Sequence, residues 1–206
     1  MTQPAAPSLG QRLMDVSEKA LCLALFTGLV MRLGPTLSVN PANGIPMLSD
    51  GLVLAFILVR RGSSSPLRPL GWALALSATL LPLLIRPGGT ALVAPGLAGA
   101  IGLSGLTLSI WSKLTLRRSF GLAPANRGIV HGGPYRMVRH PMYLGYVLTE
   151  IGFLLNNPNG WNISIFVLAL GCQMVRIQSE EAVLRLDSAY ADILKRVRYR
   201  LLPGLF

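Results

Sequence analysis

GGPYRMVRHPMYLG, residues 132–145, is the densest cluster of turn-forming, aromatic and cationic residues in the chain. Two glycines and a proline open the stretch and predict a tight turn. Long apolar runs flank it on both sides, so its charges lie where a membrane would end. Its arginines and histidine offer hydrogen-bond donors for an anion, and its tyrosines offer rings with polar tips. We interpret the stretch as the floor of a small-molecule site.

The composition is that of an integral membrane protein. Of the 206 residues, 51% are hydrophobic and 13% are charged, and the mean hydropathy is +0.53. The net charge of +11 does not indicate nucleic acid, because the cations fall between and after the apolar runs, where lipid headgroups lie. Cys22 and Cys172 both lie inside apolar runs. We interpret them as small buried side chains and expect no metal site.

Apolar runs of helical length dominate the chain after a polar lead-in at residues 1–18. They occupy residues 20–39, 46–59, 70–85, 91–111, 142–156 and 161–175. Since a spanning helix needs about 20 apolar residues, we predict an all-α polytopic membrane protein. We expect about five to six transmembrane helices, the last two forming a short hairpin. The N-terminus lacks the features of a cleaved signal peptide, so the first run is expected to stay in the mature protein.

The lysines and arginines predict the orientation. If the N-terminus lies in the cytoplasm, the loops at 60–69 and 112–141 and the C-terminal tail also lie inside. Of the 19 Lys and Arg residues, only Arg32 and Arg86 then lie at the outer side. We therefore expect a protein integral to the cell (inner) membrane, with its charged site facing the cytoplasm.

Glycines recur every third residue in the fourth apolar run. Gly96, Gly99, Gly102 and Gly105 predict a nearly smooth strip where another helix can approach closely. A dinucleotide-binding glycine loop would need a preceding strand, and none is predicted here.

His140 is predicted to lie at a helix N-terminus, because the following Pro141 suits the first turn of a helix. Free backbone N–H groups and the helix dipole favour an anion at that position. A ligand carboxylate or phosphate could dock there with help from Arg139. The alternative is that these basic residues only anchor the helix at headgroup depth.

A second cluster follows the last apolar run. Arg176 and Glu180 are four residues apart, so they share one helix face and can pair. Arg176 could bind a substrate carboxylate in a bidentate manner, and Glu180 or Glu181 could accept hydrogen bonds from a ligand amine or hydroxyl. The alternative is an ordinary surface pair. Glu150 lies within an apolar run, where an acid is a functional candidate or a hydrogen-bonded packing group, and its role stays open.

Two segments of the chain resemble the signature of one protein family. The first runs from Gly128-Ile129-Val130 through Gly133-Pro134-Tyr135-Arg136 to Val138-Arg139-His140-Pro141-Met142-Tyr143-Leu144-Gly145, and the second comprises Glu180-Glu181, Leu184, Tyr190, Arg196-Val197 and Leu201-Leu202-Pro203. Together they resemble the isoprenylcysteine carboxyl methyltransferase (ICMT) family over roughly residues 105–206. The short, strongly hydrophobic chain looks like a prokaryotic member, and the N-terminal runs match only in character.

The resemblance implies a membrane methyltransferase that uses S-adenosylmethionine without a Rossmann domain. It implies a region of transmembrane helices at 1–111 and a catalytic region at 112–206, whose loop and tail form a cytosolic cofactor pocket. The implied cofactor contacts are Arg127, Gly128, Ile129, Val130, Tyr135, Arg139, His140, Pro141, Met142, Tyr143 and Glu180. The implied catalytic residues are Arg176, Glu180 and Glu181, with Arg176 holding the acceptor.

The methyl acceptor is left open by the sequence. Ile193 stands where the family commonly has a second tyrosine, and Leu186-Asp187 stands where it has Phe-Gly. Because the nearest kin methylate a prenylcysteine carboxylate, we expect a lipophilic small molecule or a lipidated acceptor, in contact with membrane lipids and without nucleic acid or metal. One alternative is a phospholipid amine N-methyltransferase. A non-enzyme alternative is a small membrane scaffold or transporter whose basic loop only anchors it.

Overall fold

The computed structural model describes residues 9–59, 76–116 and 132–202. Within these ranges the chain is helical, and none of the residues described forms a strand, which confirms the all-α prediction. The helices are α1 (Leu9–Leu33), α2 (Gly44–Val59), α3 (Pro95–Leu116), α4 (Pro141–Asn156), α5 (Gly160–Leu184) and α6 (Ser188–Arg196). Residues 76–80 are also helical.

Three segments within the described ranges are long and apolar enough to cross a membrane. They are Pro41–Val59, Pro95–Leu116 and Gly160–Leu184. Large apolar side chains on all three point away from the protein, among them Phe56, Leu103, Leu114, Val167 and Leu168. A lipid environment accounts for this exposure, because lipid tails are as apolar as these side chains. The predicted total of five to six spans stays a prediction, since the predicted third span begins outside the described residues.

The first helix differs from the prediction at both ends. It begins at Leu9, so residues 9–18 of the polar lead-in are helical and precede the apolar run that was expected to form the span. Polar side chains do not end a helix by themselves, and the ion pair between Lys19 and Asp15 at 2.8 Å links adjacent turns. The helix ends at Leu33, where Gly34 and Pro35 start a short 3₁₀ turn, because proline removes a backbone donor.

The predicted glycine strip forms the contact between α3 and α4. A Cβ atom on Gly105 would lie 2.5 Å from the Gly145 carbonyl oxygen, and one on Gly152 would lie 2.6 Å from the Gly102 backbone nitrogen. The two helices therefore touch backbone to backbone, which confirms the prediction for Gly102 and Gly105. Among the described residues, no atom lies within 4 Å of the Cβ position of Gly96, which lies in the first turn of α3, so the close approach is not seen at that glycine.

Buried asparagines join the chain at the end of the bundle where α4 turns into α5. Asn162 is fully buried; its amide donates to the carbonyls of Arg86 and Asn157, and its side-chain oxygen accepts from the Arg86 N–H. Arg32 lies at the same end and donates to the carbonyls of Leu83 and Ile85. The two arginines predicted to share the outer side thus lie together, although Arg32 binds the protein backbone instead of extending freely to the headgroups.

The last long helix continues past the predicted limit of its apolar run. The prediction placed the run at 161–175, whereas α5 extends from Gly160 to Leu184. Hydrogen bonding along the backbone continues through the polar residues, and Arg176 pairs with Glu180 one turn later. Arg176, Glu180 and Glu181 are therefore held on one rigid helix.

Candidate active site

The turn before α4 takes the tight form that its glycines predict. Residues Gly133–Arg136 form a 3₁₀ turn, and Gly133 has a φ of +54°, which favours glycine. A Cβ atom on Gly133 would also lie 3.0 Å from the Thr115 hydroxyl oxygen at the end of α3. The turn therefore packs against the end of α3, a few residues before Arg139 and His140.

His140 occupies the N-cap position of α4, with Pro141 in the first turn, and this confirms the predicted placement. Its ring does not bond to its own helix and instead faces α5. Nε2 lies 3.3 Å from Glu181 Oε1, and Nδ1 lies 3.9 Å from Glu180 Oε2. The imidazole, which is 7% exposed, therefore lies between the two adjacent carboxylates.

Glu181 is the centre of a charged cluster. Its side chain is 2% exposed, and its Oε2 accepts a hydrogen bond from Arg200 Nε at 3.1 Å. Arg139 Nε lies 3.1 Å from Oε1 without hydrogen-bond alignment, and Arg185 Nη2 lies 3.6 Å from Oε2. Since three arginines surround one carboxylate, the cluster carries excess positive charge.

Glu180 makes a different set of contacts. Its Oε1 accepts a hydrogen bond from the Tyr143 hydroxyl at 2.5 Å and one from Arg176 Nε at 3.3 Å. The Arg176 guanidinium also lies 5.3 Å from the centre of the Tyr143 ring, within the range of a cation–π interaction. Glu180 is 20% exposed, so a ligand outside the protein can reach it.

The C-terminal tail docks beside the start of α4. The backbone N–H groups of Arg139 and His140 donate to the carbonyls of Tyr199 and Arg200 at 3.0 and 2.9 Å. Leu201 is buried in a cluster with Met142, Tyr143 and Ile177. The same short segment of tail therefore contacts both the start of α4, through the backbone of Arg139 and His140, and α5, through Ile177.

Two tyrosines outside the membrane-spanning segments have raised pKa values. Burial raises the pKa of Tyr135 well above its ordinary value, and the nearby Glu180 carboxylate adds to the effect. Burial and Glu181 raise the pKa of Tyr190 to about 12, and its buried hydroxyl has no hydrogen-bond partner in the part of the chain described. Both phenols therefore stay neutral at physiological pH and can act as hydrogen-bond donors.

A cavity opens between the helices next to Tyr143 and Arg176. Its empty space amounts to about 870 Å³, including the open mouth. Its wall is mostly apolar and comes from α1, α2, residues 78–85, α4 and α5. The lining includes Cys22, Val53, Leu54, Ile57, Ala78, Leu83, Met142, Tyr146 and Phe166, together with Asp50, Glu150 and Gln173.

Comparison with known families matches this part of the molecule. The family model described as "Isoprenylcysteine carboxyl methyltransferase (ICMT) family" matches residues 103–186. This match, over 84 of the 206 residues, supports the resemblance to the ICMT family that the sequence indicated. The ICMT match covers most of α3, all of α4 and all of α5. Of these helices, α4 and α5 carry residues of the charged cluster. No curated protein and no solved structure matches the chain.

The extent of the ICMT match differs from the resemblance in the sequence, which continued to the end of the chain. The family match ends at 186, so the docked tail lies beyond it. It begins inside α3, and the predicted boundary between 111 and 112 also falls inside α3.

The structure brings together most of the site residues that the sequence indicated. Arg139, His140, Tyr143, Arg176, Glu180 and Glu181 contact one another in a single cluster. Pro141 and Met142 form the first turn of α4, and Met142 lines the cavity. Tyr135 lies close enough for Glu180 to affect its pKa. Arg127, Gly128, Ile129 and Val130 lie outside the described residues.

Sequence reasoning missed three contributors to this part of the molecule. Arg200 binds Glu181 from the tail, and nothing in its local spacing distinguishes it from the other tail arginines. Asp50 and Gln173 line the cavity, and the signal that could have found them is a polar side chain inside an apolar run.

Proposed function

We propose that the protein transfers a methyl group from S-adenosylmethionine to a lipophilic acceptor at the cytoplasmic face of the cell (inner) membrane. The reaction would be most like carboxyl O-methylation of an isoprenylcysteine. One observation carries the proposal. An apolar cavity within the helix bundle reaches Tyr143 and Arg176, and both residues bind Glu180 in the charged cluster. A lipid chain in the cavity would thus present its polar end to that cluster.

The donor set of the cluster fits the amino-acid end of S-adenosylmethionine. The excess of arginines around Glu181 would attract its carboxylate, with Arg139 and His140 nearest the start of α4. Glu180 Oε2 lies 3.9 Å from His140, too far for a hydrogen bond, and would accept one from the ligand amine. Tyr135 and Tyr143 would present rings to the positive sulfonium. When bound, the cofactor supplies an electrophilic methyl group.

Arg176 is suited to hold the acceptor. It is 6% exposed, lies at the cavity wall and is positioned by Glu180 and the Tyr143 ring. A guanidinium binds a carboxylate through two parallel hydrogen bonds. This buried cation favours an acidic acceptor over a phospholipid amine, which is the alternative enzyme activity.

The residues of the chain would act mainly by alignment. A carboxylate acceptor needs no proton removed before it attacks a methyl group, so Arg176 would orient it while the apolar wall excludes water. Alignment of two reactants is worth up to about 7–11 kcal/mol in favourable cases. We propose a catalytic role for Glu180, which faces the ligand. For Glu181 we propose a positioning role, because its oxygens are occupied by Arg139, Arg200 and His140.

The proposed function divides the chain into two regions with different roles. The helices before residue 112 would form the membrane anchor and much of the cavity wall, and residues 112–206 would supply the cofactor and acceptor contacts. Arg127, Gly128, Ile129 and Val130 are proposed to complete the cofactor site from the preceding loop.

Two measurements test this function. Calorimetry on the purified protein is expected to show S-adenosylmethionine binding, and its absence would favour a scaffold or transporter. A radiolabelled methyl-transfer assay is expected to label N-acetyl-farnesylcysteine. Labelling of phospholipid headgroup amines instead would replace the carboxylate acceptor with the amine alternative.

A further inference from the structure

The cavity contains polar groups deeper than the Tyr143–Arg176 contact. Asp50 of α2, Glu150 of α4 and Gln173 of α5 all line it. Gln173 is 3% exposed, and its amide lies 3.5 Å from Glu150 Oε1, the long limit of a hydrogen bond. We call these three residues the deep polar group. None of them takes part in the proposed cofactor contacts.

Two oxygens of the deep polar group lack a partner. Asp50 Oδ2 and Gln173 Oε1 are buried and accept no hydrogen bond from any residue that the structure describes. A buried acceptor without a donor is costly, and an acid within a spanning segment is a functional candidate by default. The cavity wall therefore presents unsatisfied acceptors to whatever fills it.

Within the described ranges, no side chain donates a hydrogen bond to Asp50 Oδ2 or Gln173 Oε1. The Lys113 ammonium lies 5.0 Å from the centre of the Tyr146 ring and makes no hydrogen bond to a described residue. The Thr149 hydroxyl donates to the backbone carbonyl of Gly145. Arg176 is bound to Glu180. The occupant of the cavity can therefore supply a donor that the described residues do not.

Helix geometry gives the depth of the deep polar group. Gln173 precedes Arg176 by three residues, and Glu150 follows Tyr143 by seven, in helices that run in opposite directions. At 1.5 Å per residue, the deep polar group lies about 5–10 Å further into the bundle than the Tyr143–Arg176 contact. If the head of a lipid chain binds Arg176, the middle of that chain would lie beside the deep polar group.

We propose that the deep polar group is a specificity subsite for a hydrogen-bond donor, a hydroxyl or an amine, carried on the apolar chain of the methyl acceptor. This inference rests on the proposed function for the identity of the cavity's occupant. A plain hydrocarbon chain would leave Asp50 and Gln173 unpaired, whereas a chain with a donor at that depth would satisfy them. Sites built to bind a hydroxyl strongly reject analogues that lack it.

The test compares matched chains on the intact protein in nanodiscs. The probes are S-dodecyl-N-acetylcysteine and analogues with one hydroxyl or one amine at successive positions along the dodecyl chain. Binding is measured without S-adenosylmethionine, by displacement of a fluorescent fatty acid, and methyl transfer is measured separately. We expect one or two mid-chain hydroxyl or amine analogues to bind about tenfold more tightly than the plain chain, a difference of about 1.4 kcal/mol.

Near-isosteric variants identify the residues. Asp50→Leu and Gln173→Leu are expected to abolish the preference and to bind the plain chain at least as well as the parent protein, which shows that they fold. Ser164→Ala, at an exposed position of α5, is the control and should keep the preference. A wild-type protein that binds all chains equally, or a preference that survives both leucine variants, would overturn the subsite.

The two readouts separate the subsite from the proposed function. A mid-chain binding preference without methyl transfer would support the subsite and count against the methyltransferase. Methyl transfer to the plain chain without any binding preference would support the methyltransferase and overturn the subsite. A hydroxyl-only or amine-only preference would support the subsite and define its donor.

Discussion

The Tyr143 hydroxyl donates a 2.5 Å hydrogen bond to Oε1 of Glu180, joining the start of α4 to the last turns of α5. The distance is that of a hydrogen bond to an ionised carboxylate, which is stronger than one between neutral groups. The same ring lies beside the Arg176 guanidinium. Tyr143 therefore holds in place both the acid proposed to bind the cofactor and the cation proposed to bind the acceptor.

Tyr143→Phe is expected to weaken S-adenosylmethionine binding about tenfold, because a hydrogen bond to a charged group contributes about 1.5–3 kcal/mol and Glu180 would lose its orientation. The phenyl ring remains beside Arg176, so acceptor binding should change less. Calorimetry measures the cofactor affinity. Tyr146→Phe is the matched variant one turn along α4, and equal losses in the two variants would contradict the role given to the Tyr143 hydroxyl.

Glu180→Gln and Glu181→Gln are expected to fail in different ways. Glu181 is surrounded by arginines and nearly inaccessible, and removing one partner of a buried ion pair costs about 3–5 kcal/mol. Glu181→Gln should therefore lower the thermal unfolding midpoint in detergent by several degrees. Glu180→Gln should lower the midpoint less, because Glu180 is 20% exposed and its glutamine can keep a hydrogen bond from Arg176, while abolishing cofactor binding. If Glu180→Gln lowers the unfolding midpoint more and Glu181→Gln abolishes cofactor binding at an unchanged midpoint, the roles given to the two residues are wrong.

Leu201→Asp is expected to release the tail and to weaken cofactor binding at least tenfold. Leu201 is 3% exposed and packs on Met142 and Tyr143, so a carboxylate there would be buried without a partner. The tail carbonyls would then leave Arg139 and His140. Leu202→Asp adds the same charge at a neighbouring side chain that is 42% exposed and should bind the cofactor normally. Limited proteolysis of the tail checks the release directly.

Gly145→Ala is expected to destabilise the α3–α4 pair by about 1–3 kcal/mol, the usual cost of overpacking. The new Cβ would lie 2.7 Å from the Gly105 carbonyl oxygen and from the Ser109 nitrogen, which are backbone atoms that cannot move aside. Gly171→Ala is the control on α5, because nothing lies within 4 Å of its Cβ position. Thermal unfolding of both variants in detergent distinguishes them, and equal midpoints would refute the close contact.

Local sequence patterns correctly predicted features that depend only on residues close in the chain, such as a helix start or two side chains on one helix face. Pro141 placed His140 at a helix N-terminus, and the spacing of Arg176 and Glu180 placed them on one helix face. The predicted break between the last two apolar runs was also correct, since α4 ends at Asn156 and α5 begins at Gly160. The start of the first helix was less accurate, because backbone hydrogen bonding carries α1 through polar residues that an apolar pattern excludes.

The sequence by itself determined a helical membrane protein with a charged cluster at one end. Composition, the length of the apolar runs and the positions of the cations indicate this without any knowledge of which segments pack together. Only the tertiary structure decided which adjacent acid stays partly exposed and which is enclosed by arginines. It also brought Arg200 from the tail to Glu181 and placed Asp50 and Gln173 in one cavity. The physical reason is that the spacing of residues along a helix defines which side chains share a face. Which other segment packs on that face depends on contacts between residues far apart in the chain, such as the glycine contact of α3 and α4.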